Sequence, residues 1–214
     1  MKKGVLFDLD GTLWDSSEEV AISWKEALEK RKDVDKVITT ADIQGVMGKT
    51  MDEIADILFA EYDKEKRREL LTYCCKQENA YIRRHGGKLL PGLEEMLRKL
   101  RDAGYFLAIV SNCQEGYIEA FLEHHGLSSY FDDFESFGRT GYSKGDNIRL
   151  VIERNHLTEC VYLGDTQGDY DAAAAAGIPF IHARTGYGTV NRETPYITRL
   201  LELPELLMKK EKPL

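Results

Sequence analysis

Val5-Leu6-Phe7-Asp8-Leu9-Asp10-Gly11-Thr12-Leu13 is the stretch from which the rest of this chain can be read. Three apolar residues make a short buried strand, and two aspartates leave its carboxyl end two positions apart, followed by a glycine and a threonine. In extended backbone, alternate side chains point the same way, so the carboxylates of Asp8 and Asp10 can face one pocket. Carboxylates that close repel each other, and a bound divalent cation is the usual remedy. The stretch reads as half of a metal-assisted site in which one aspartate attacks.

The composition suits such a site. A chain of 214 residues fits one medium domain, or a core carrying a smaller insertion. At 43% hydrophobic and 31% charged it has the makings of a proper core. A formal net charge of -8 argues against nucleic acid or an anionic membrane as the main partner, so local cations must attract any anionic substrate. Cys74, Cys75, Cys113 and Cys160 lack paired metal-ligand spacing and read as reduced, structural thiols. The basic start is followed by too short an apolar run for a signal peptide, and no run approaches the ~20 residues of a membrane helix. The expectation is a cytoplasmic protein.

After the opening strand the periodicity is helical. Asp15, Ser16 and Ser17 offer capping side chains, and Val20, Trp24, Ala27 and Leu28 recur on one face up to about residue 31. Helices follow over 40–47, from Thr50 with Met51, Ile54 and Leu58 on one face, and over 63–84, where Gly86-Gly87 ends the run. From Gly87 strands and helices alternate. Strands are expected at 105–110, 134–137, 160–163 and 179–182, and helices at 92–103, 117–125, 144–155, 169–176 and 196–208. Short strands apolar on both faces imply an α/β fold, a Rossmann-like parallel sheet covered by helices on both sides. The expected division is a discontinuous core, 1–15 and 87–214, with an α-helical cap inserted at 16–86. An insertion tethered twice beside the reactive edge can close as a lid.

In open parallel sheets, chemistry collects beyond the carboxyl ends of the strands. Asp8 and Asp10, Ser111 and Asn112, and Asp165 with Asp169 all fall there, delivered by three different strands.

DLDGTLWDS at 8–16, VSN at 110–112, SKGD at 143–146 and GDTQGDYDAA at 164–173 together resemble the motifs of the haloacid dehalogenase superfamily, in the members with a helical cap between the first and second motifs. The resemblance implies a role for each residue. Asp8 is the nucleophile that forms an aspartyl-phosphate, and Asp10 is the acid that protonates the leaving oxygen and then the base that activates water. Ser111 and the backbone amide of Asn112 hold the transferring phosphoryl group, and Lys144 neutralises phosphate and nucleophile. Mg2+ is the implied cofactor, bound by Asp8, Asp165 and the Asp10 carbonyl, with Asp169 as ligand or through a water. Many relatives have proline after the lysine, where this chain has Gly145. Thr12 is expected to orient Asp10 and face the substrate, and Asp171 to be solvated surface. In relatives a cap loop near Lys49 reaches the substrate's distal group, although an exposed loop lysine is an equal reading. Trp14 either walls the pocket or packs at the hinge, and His124 and His125 read as structural.

The activity so implied is a magnesium-dependent phosphatase acting on a small phosphorylated metabolite, similar to phosphoglycolate phosphatases, in a monomer or weak homodimer. A phosphomutase of the same family shares the core and is the nearest rival. A dehalogenase fits less well, since those relatives use no metal and usually lack the second aspartate. A binding module that has lost turnover is opposed by the intact set Asp8, Asp10, Lys144 and Asp165.

Overall fold

The computed structural model describes residues 2–209. Its centre is a six-stranded sheet in the order β5-β4-β1-β6-β7-β8, every neighbouring pair parallel. The strands are β1 (Lys3–Phe7), β4 (Phe106–Ser111), β5 (Asp133–Ser136), β6 (Glu159–Gly164), β7 (Phe180–Ala183) and β8 (Tyr196–Ile197). Alternation sorts β1 between two cores. Val5 and Phe7 pack with Leu107, Ile109 and Leu163 on one face, and Leu6 packs with Ala108, Val110 and Tyr162 on the other. Such double burial explains why the central strands β1 and β4 read as apolar runs, Val5–Phe7 and Phe106–Val110.

Helices cover both faces. Their ranges are α5 (Leu93–Asp102), α6 (Tyr117–His125), α7 (Phe137–Thr140), α8 (Lys144–Arg154), α9 (Gln167–Ala176) and α10 (Glu202–Lys209). A Cβ on Gly145 would stand 3.1 Å from both the Ala172 carbonyl and the Ala175 side chain. The glycine and the alanine run thus let α8 approach α9 closely.

Between Ser16 and His85 the chain is helical with no strand: α1 (Ser17–Glu29), α2 (Thr40–Val46), α3 (Met51–Leu58) and α4 (Lys64–His85). Asp42 and Glu53 complete capping boxes with Thr39 and Thr50. Where this segment leaves and rejoins the sheet, β2 (Trp14–Asp15) and β3 (Lys88–Leu89) pair antiparallel, a ribbon that periodicity did not suggest. Two-residue strands are too short to carry an alternating pattern.

Two further expectations change. The helix expected from 196 begins only at Glu202, because Tyr196 and Ile197 add a parallel strand beside β7. The expected strand at 134–137 ends one residue earlier, since Phe137 opens α7. All four cysteines are free thiols, three buried and Cys160 half-buried. Among the described residues no helix is long and apolar enough to cross a membrane.

Candidate active site

Because β1 lies between β4 and β6, the residues leaving those three strand ends converge. Asp8 follows Phe7, whose register partners are Ile109 and Leu163, and its amide donates to the Leu163 carbonyl at 2.9 Å. Asp8, Asp165 and Asp169 are all buried, each with a carboxylate oxygen within 4.8 Å of the others.

Lys144 enters from the first turn of α8, and its Nζ lies 2.8 Å from Asp8 Oδ1 and 2.6 Å from Asp169 Oδ1. The other oxygen of Asp169 accepts from the Thr166 amide and hydroxyl, a capping box that opens α9. Burial works against the Lys144 ammonium, but Asp169 and Asp8 outweigh it and hold its pKa well above the usual range. Asp8 is pushed well above its usual range by burial and by Asp169 and Asp165, against the pull of Lys144. Burial and Asp169 raise Asp165 to about 6, although two backbone amides oppose them.

Asp8 Oδ2 is buried and has no hydrogen-bond partner. A bare oxygen inside a cluster of three carboxylates is costly unless something positive meets it. Hard oxygen donors of this kind suit a divalent cation such as Mg2+. The residues present therefore fit the metal implied by the motifs.

Asp10 sits in a separate environment. Its Oδ1 accepts from Ser16 Oγ at 2.7 Å and from Tyr117 Oη at 3.0 Å. Burial raises its pKa, opposed by those two hydroxyls. Ser16, expected as a helix cap, makes no cap bond; Asp15 instead accepts from the Ser17 amide and hydroxyl. Thr12 also departs from expectation. Gly11, at φ +79, turns the chain so that the Thr12 hydroxyl faces Asp165 Oδ1 at 3.4 Å rather than Asp10, and Thr12 is wholly buried. A side chain on Gly11 would stand 2.6 Å from Asp165 Oδ2.

A cavity opens over Asp8 and Asp10 between the sheet edge and the helical segment. Its walls include Ser111 and Asn112 from the core, Lys49 from the α2–α3 loop, and apolar Val20, Met47 and Ile54. The Asn112 side chain donates to the Gly48 carbonyl at 3.0 Å, joining that loop to the core. Trp14 lies outside the cavity lining and packs from β2 against Tyr117, Phe121 and His125. His125 is pushed down to about 4 by burial and His124, and His124 Nδ1 donates to the Arg83 carbonyl at 3.1 Å. Asp171 is exposed and accepts from Gln167.

Several residues at the site carried no signal of a functional role in the motifs of the sequence. Tyr117 is one. Tyr187 is another: its amide donates to Asp165 Oδ2 at 2.7 Å, joined by the Gly188 amide at 3.1 Å. The only hint was its setting in Gly186-Tyr187-Gly188, where a Cβ on either glycine would run into Asp165 or the backbone beside it. Glu78 is the third. It projects from α4 into the cavity wall, 5% exposed, with Trp24 Nε1 at 2.5 Å and Gln114 Nε2 at 3.0 Å. Burial pushes its carboxyl up to about 7.

Comparison with known proteins agrees with this geometry. The model of a family described as haloacid dehalogenase-like hydrolase matches residues 5–183. The phosphoglycolate phosphatase of Xanthomonas campestris pv. campestris (strain 8004) is 30% identical over 189 residues, 86% of this chain and 84% of its own. That of Xylella fastidiosa (strain Temecula1) is 30% identical over 211 residues, 96% of this chain and 91% of its own. Among solved structures, a haloacid dehalogenase-like hydrolase from Bacteroides fragilis superposes with a TM-score of 0.81 at 27% identity, covering 95% of this chain and 100% of its own. With the matched span running from β1 through β7 and so across every strand end of the site, the chain belongs to the haloacid dehalogenase-like hydrolases.

Proposed function

We propose that the protein is a magnesium-dependent phosphatase that hydrolyses a small phosphomonoester through an aspartyl-phosphate on Asp8. The observation that carries this reading is the unequal treatment of the two Asp8 oxygens. Lys144 holds Oδ1 in place, while Oδ2 is buried and unpartnered among the carboxylates, where the cation would meet it.

The chain's own groups divide the work. Asp8 forms a bond to phosphorus through its other oxygen, Oδ1, beside Lys144, while the bond to the leaving oxygen breaks. Asp10 gives that oxygen its proton, then takes one from the water that cleaves the acyl phosphate and regenerates Asp8. Its raised pKa, set by burial, suits a group that must arrive protonated. The Ser111 hydroxyl and the Asn112 amide receive phosphoryl oxygens, and Lys144 supplies fixed positive charge. Asp8, Asp165 and the Asp10 carbonyl would hold Mg2+, with Asp169 completing the acidic cluster, and the ion would supply charge neutralisation for the transferring group. Tyr187 and Gly188 fix the Asp165 carboxylate for that task.

The helical segment 16–86 serves as the cap, and Lys49 is its cation for the distal part of the substrate. Thr12 acts at one remove, through Asp165. The phosphoglycolate phosphatases among the relatives make 2-phosphoglycolate the first compound to assay. The test is a panel of phosphorylated metabolites with Mg2+, using Asp8→Asn as blank. Hydrolysis by the native chain with none by the variant supports the reading; equal rates from both overturn the nucleophile. Transfer of phosphate to a second hydroxyl, with no inorganic phosphate released, would make the protein a mutase instead.

A further inference from the structure

Two charged side chains reach the cavity from the helical cap: Lys49 and Glu78. Glu78 has no place in the chemistry above. It is a carboxyl group 5% exposed, on the inner face of α4, and among the described residues it has no ion-pair partner. Its Oε2 accepts from the Trp24 indole and its Oε1 from the Gln114 amide, and both donors line the same cavity. Two neutral donors leave further acceptor capacity on each oxygen, because a carboxylate offers about four lone-pair sites. A buried acid held without a cation is costly, and an apolar residue would fill the same wall more cheaply.

Resting on the phosphatase reading, we infer that Glu78 is a specificity-determining residue, an acceptor for a hydroxyl or ammonium group carried by the leaving group. The substrate would then be a phosphate ester of an alcohol with a second hydrogen-bond donor, a polyol or an amino alcohol. An ester whose leaving group ends only in a carboxylate is disfavoured, since its charge meets Glu78. Position supports the assignment. Asp10 and Glu78 line the same cavity, so a donor held by Glu78 belongs to the same bound molecule as the oxygen that Asp10 protonates. Gln114 ties Glu78 to the core loop after β4, and Asn79, one residue on, donates to the Glu115 carbonyl at 2.7 Å. The acceptor is therefore held at a fixed distance from the phosphoryl site, as discrimination by hydrogen bonding needs.

The test uses esters that differ only at the far end: ethyl phosphate, 2-hydroxyethyl phosphate, 2-aminoethyl phosphate and 2-phosphoglycolate, with the corresponding three-carbon esters. The native enzyme is expected to favour the hydroxyl- and amino-ended esters over the alkyl ester by roughly 10-fold or more in kcat/KM. Glu78→Gln keeps the shape and is expected to lose most of the preference for the amine while raising turnover of 2-phosphoglycolate. Glu78→Leu is expected to favour the alkyl ester. If Glu78→Gln slows every ester by one common factor, Glu78 only latches the cap and the inference fails. It fails equally if the native enzyme ranks the alkyl ester with the others.

Thermal shifts of Asp8→Asn and of Asp8→Asn with Glu78→Gln, measured with the same esters, give the binding order without turnover. A chain that binds in the expected order but hydrolyses nothing overturns the phosphatase reading and keeps this one. A binding order unchanged by Glu78→Gln overturns this one alone.

Discussion

Lys144 and Asp8 meet through one oxygen only: Nζ stands 2.8 Å from Oδ1, and Oδ2 is left bare. The same ammonium is 2.6 Å from Asp169, so one buried cation serves two buried carboxylates. Removing it as Lys144→Met should destabilise the fold by about 3–5 kcal/mol, the range for breaking a buried pair. It should also lower kcat by about 10²–10³-fold, as for loss of a preorganised charge at the reacting group. Lys144→Arg should not rescue the rate, because a planar guanidinium cannot replace an ammonium between these two oxygens. Denaturant titration and steady-state rates on one substrate check both parts.

Asp10→Asn should cost about 10²–10⁴-fold in turnover. The loss in the first half-reaction should be smaller for p-nitrophenyl phosphate, whose leaving oxygen needs no proton. Rapid-quench measurement should then show the phosphorylated protein accumulating, since water activation still lacks its base. Tyr117→Phe removes one hydroxyl 3.0 Å from Asp10 and should cost on the order of 1 kcal/mol, about fivefold in rate.

Metal dependence has a readout besides activity. A cation that binds only the folded chain raises the melting temperature with its concentration. Mg2+ should stabilise the native protein, and EDTA should reverse the effect. In Asp165→Asn both responses should be weak or absent. A native protein whose melting temperature ignores Mg2+ and EDTA alike would count against the metal.

Glu78 should leave a mark on stability against pH. Burial lifts its carboxyl from 4.5 to about 7, so between those values the folded chain binds a proton that the unfolded chain has lost. Its contribution is fully present below about 4.5 and is lost as pH rises through about 7. The amount is on the order of 3 kcal/mol, from 1.36 kcal/mol per pK unit. Other buried carboxylates slope the same way, so the difference between native and Glu78→Gln isolates this one. The native chain should lose stability relative to the variant from pH 5 to pH 8.

The core was legible because each of its residues announces a backbone event. Asp8, Ser111 and Asp165 each end an apolar run, and Lys144 opens a helix, so topology alone brings them to one edge. What escaped reading depends on side-chain direction rather than on element boundaries. Ser16 sits where a cap belongs, yet its hydroxyl turns to Asp10. Thr12 is two residues from Asp10 but faces Asp165, because Gly11 reverses the chain between them. Glu78 lies on the stripe of Cys74, Cys75 and Ile82, and spacing places it inward without saying that a cavity waits there. The strand at Tyr196–Ile197 is too short to compete with the helical pattern that follows it.

The middle position of β1 has a consequence for how the molecule comes into being. Its two neighbours start at Phe106 and Glu159, so β1 pairs only with strands about a hundred residues or more further along the chain. Pairings that distant close slowly, whereas α1 to α4 can form contacts within their own stretch as they emerge. In a growing chain Asp8 is therefore made well before the lysine and the carboxylates that surround it in the fold. On the phosphatase reading, a chain made only as far as β5 would hold neither Lys144 nor Asp165 beside Asp8 and would not turn over.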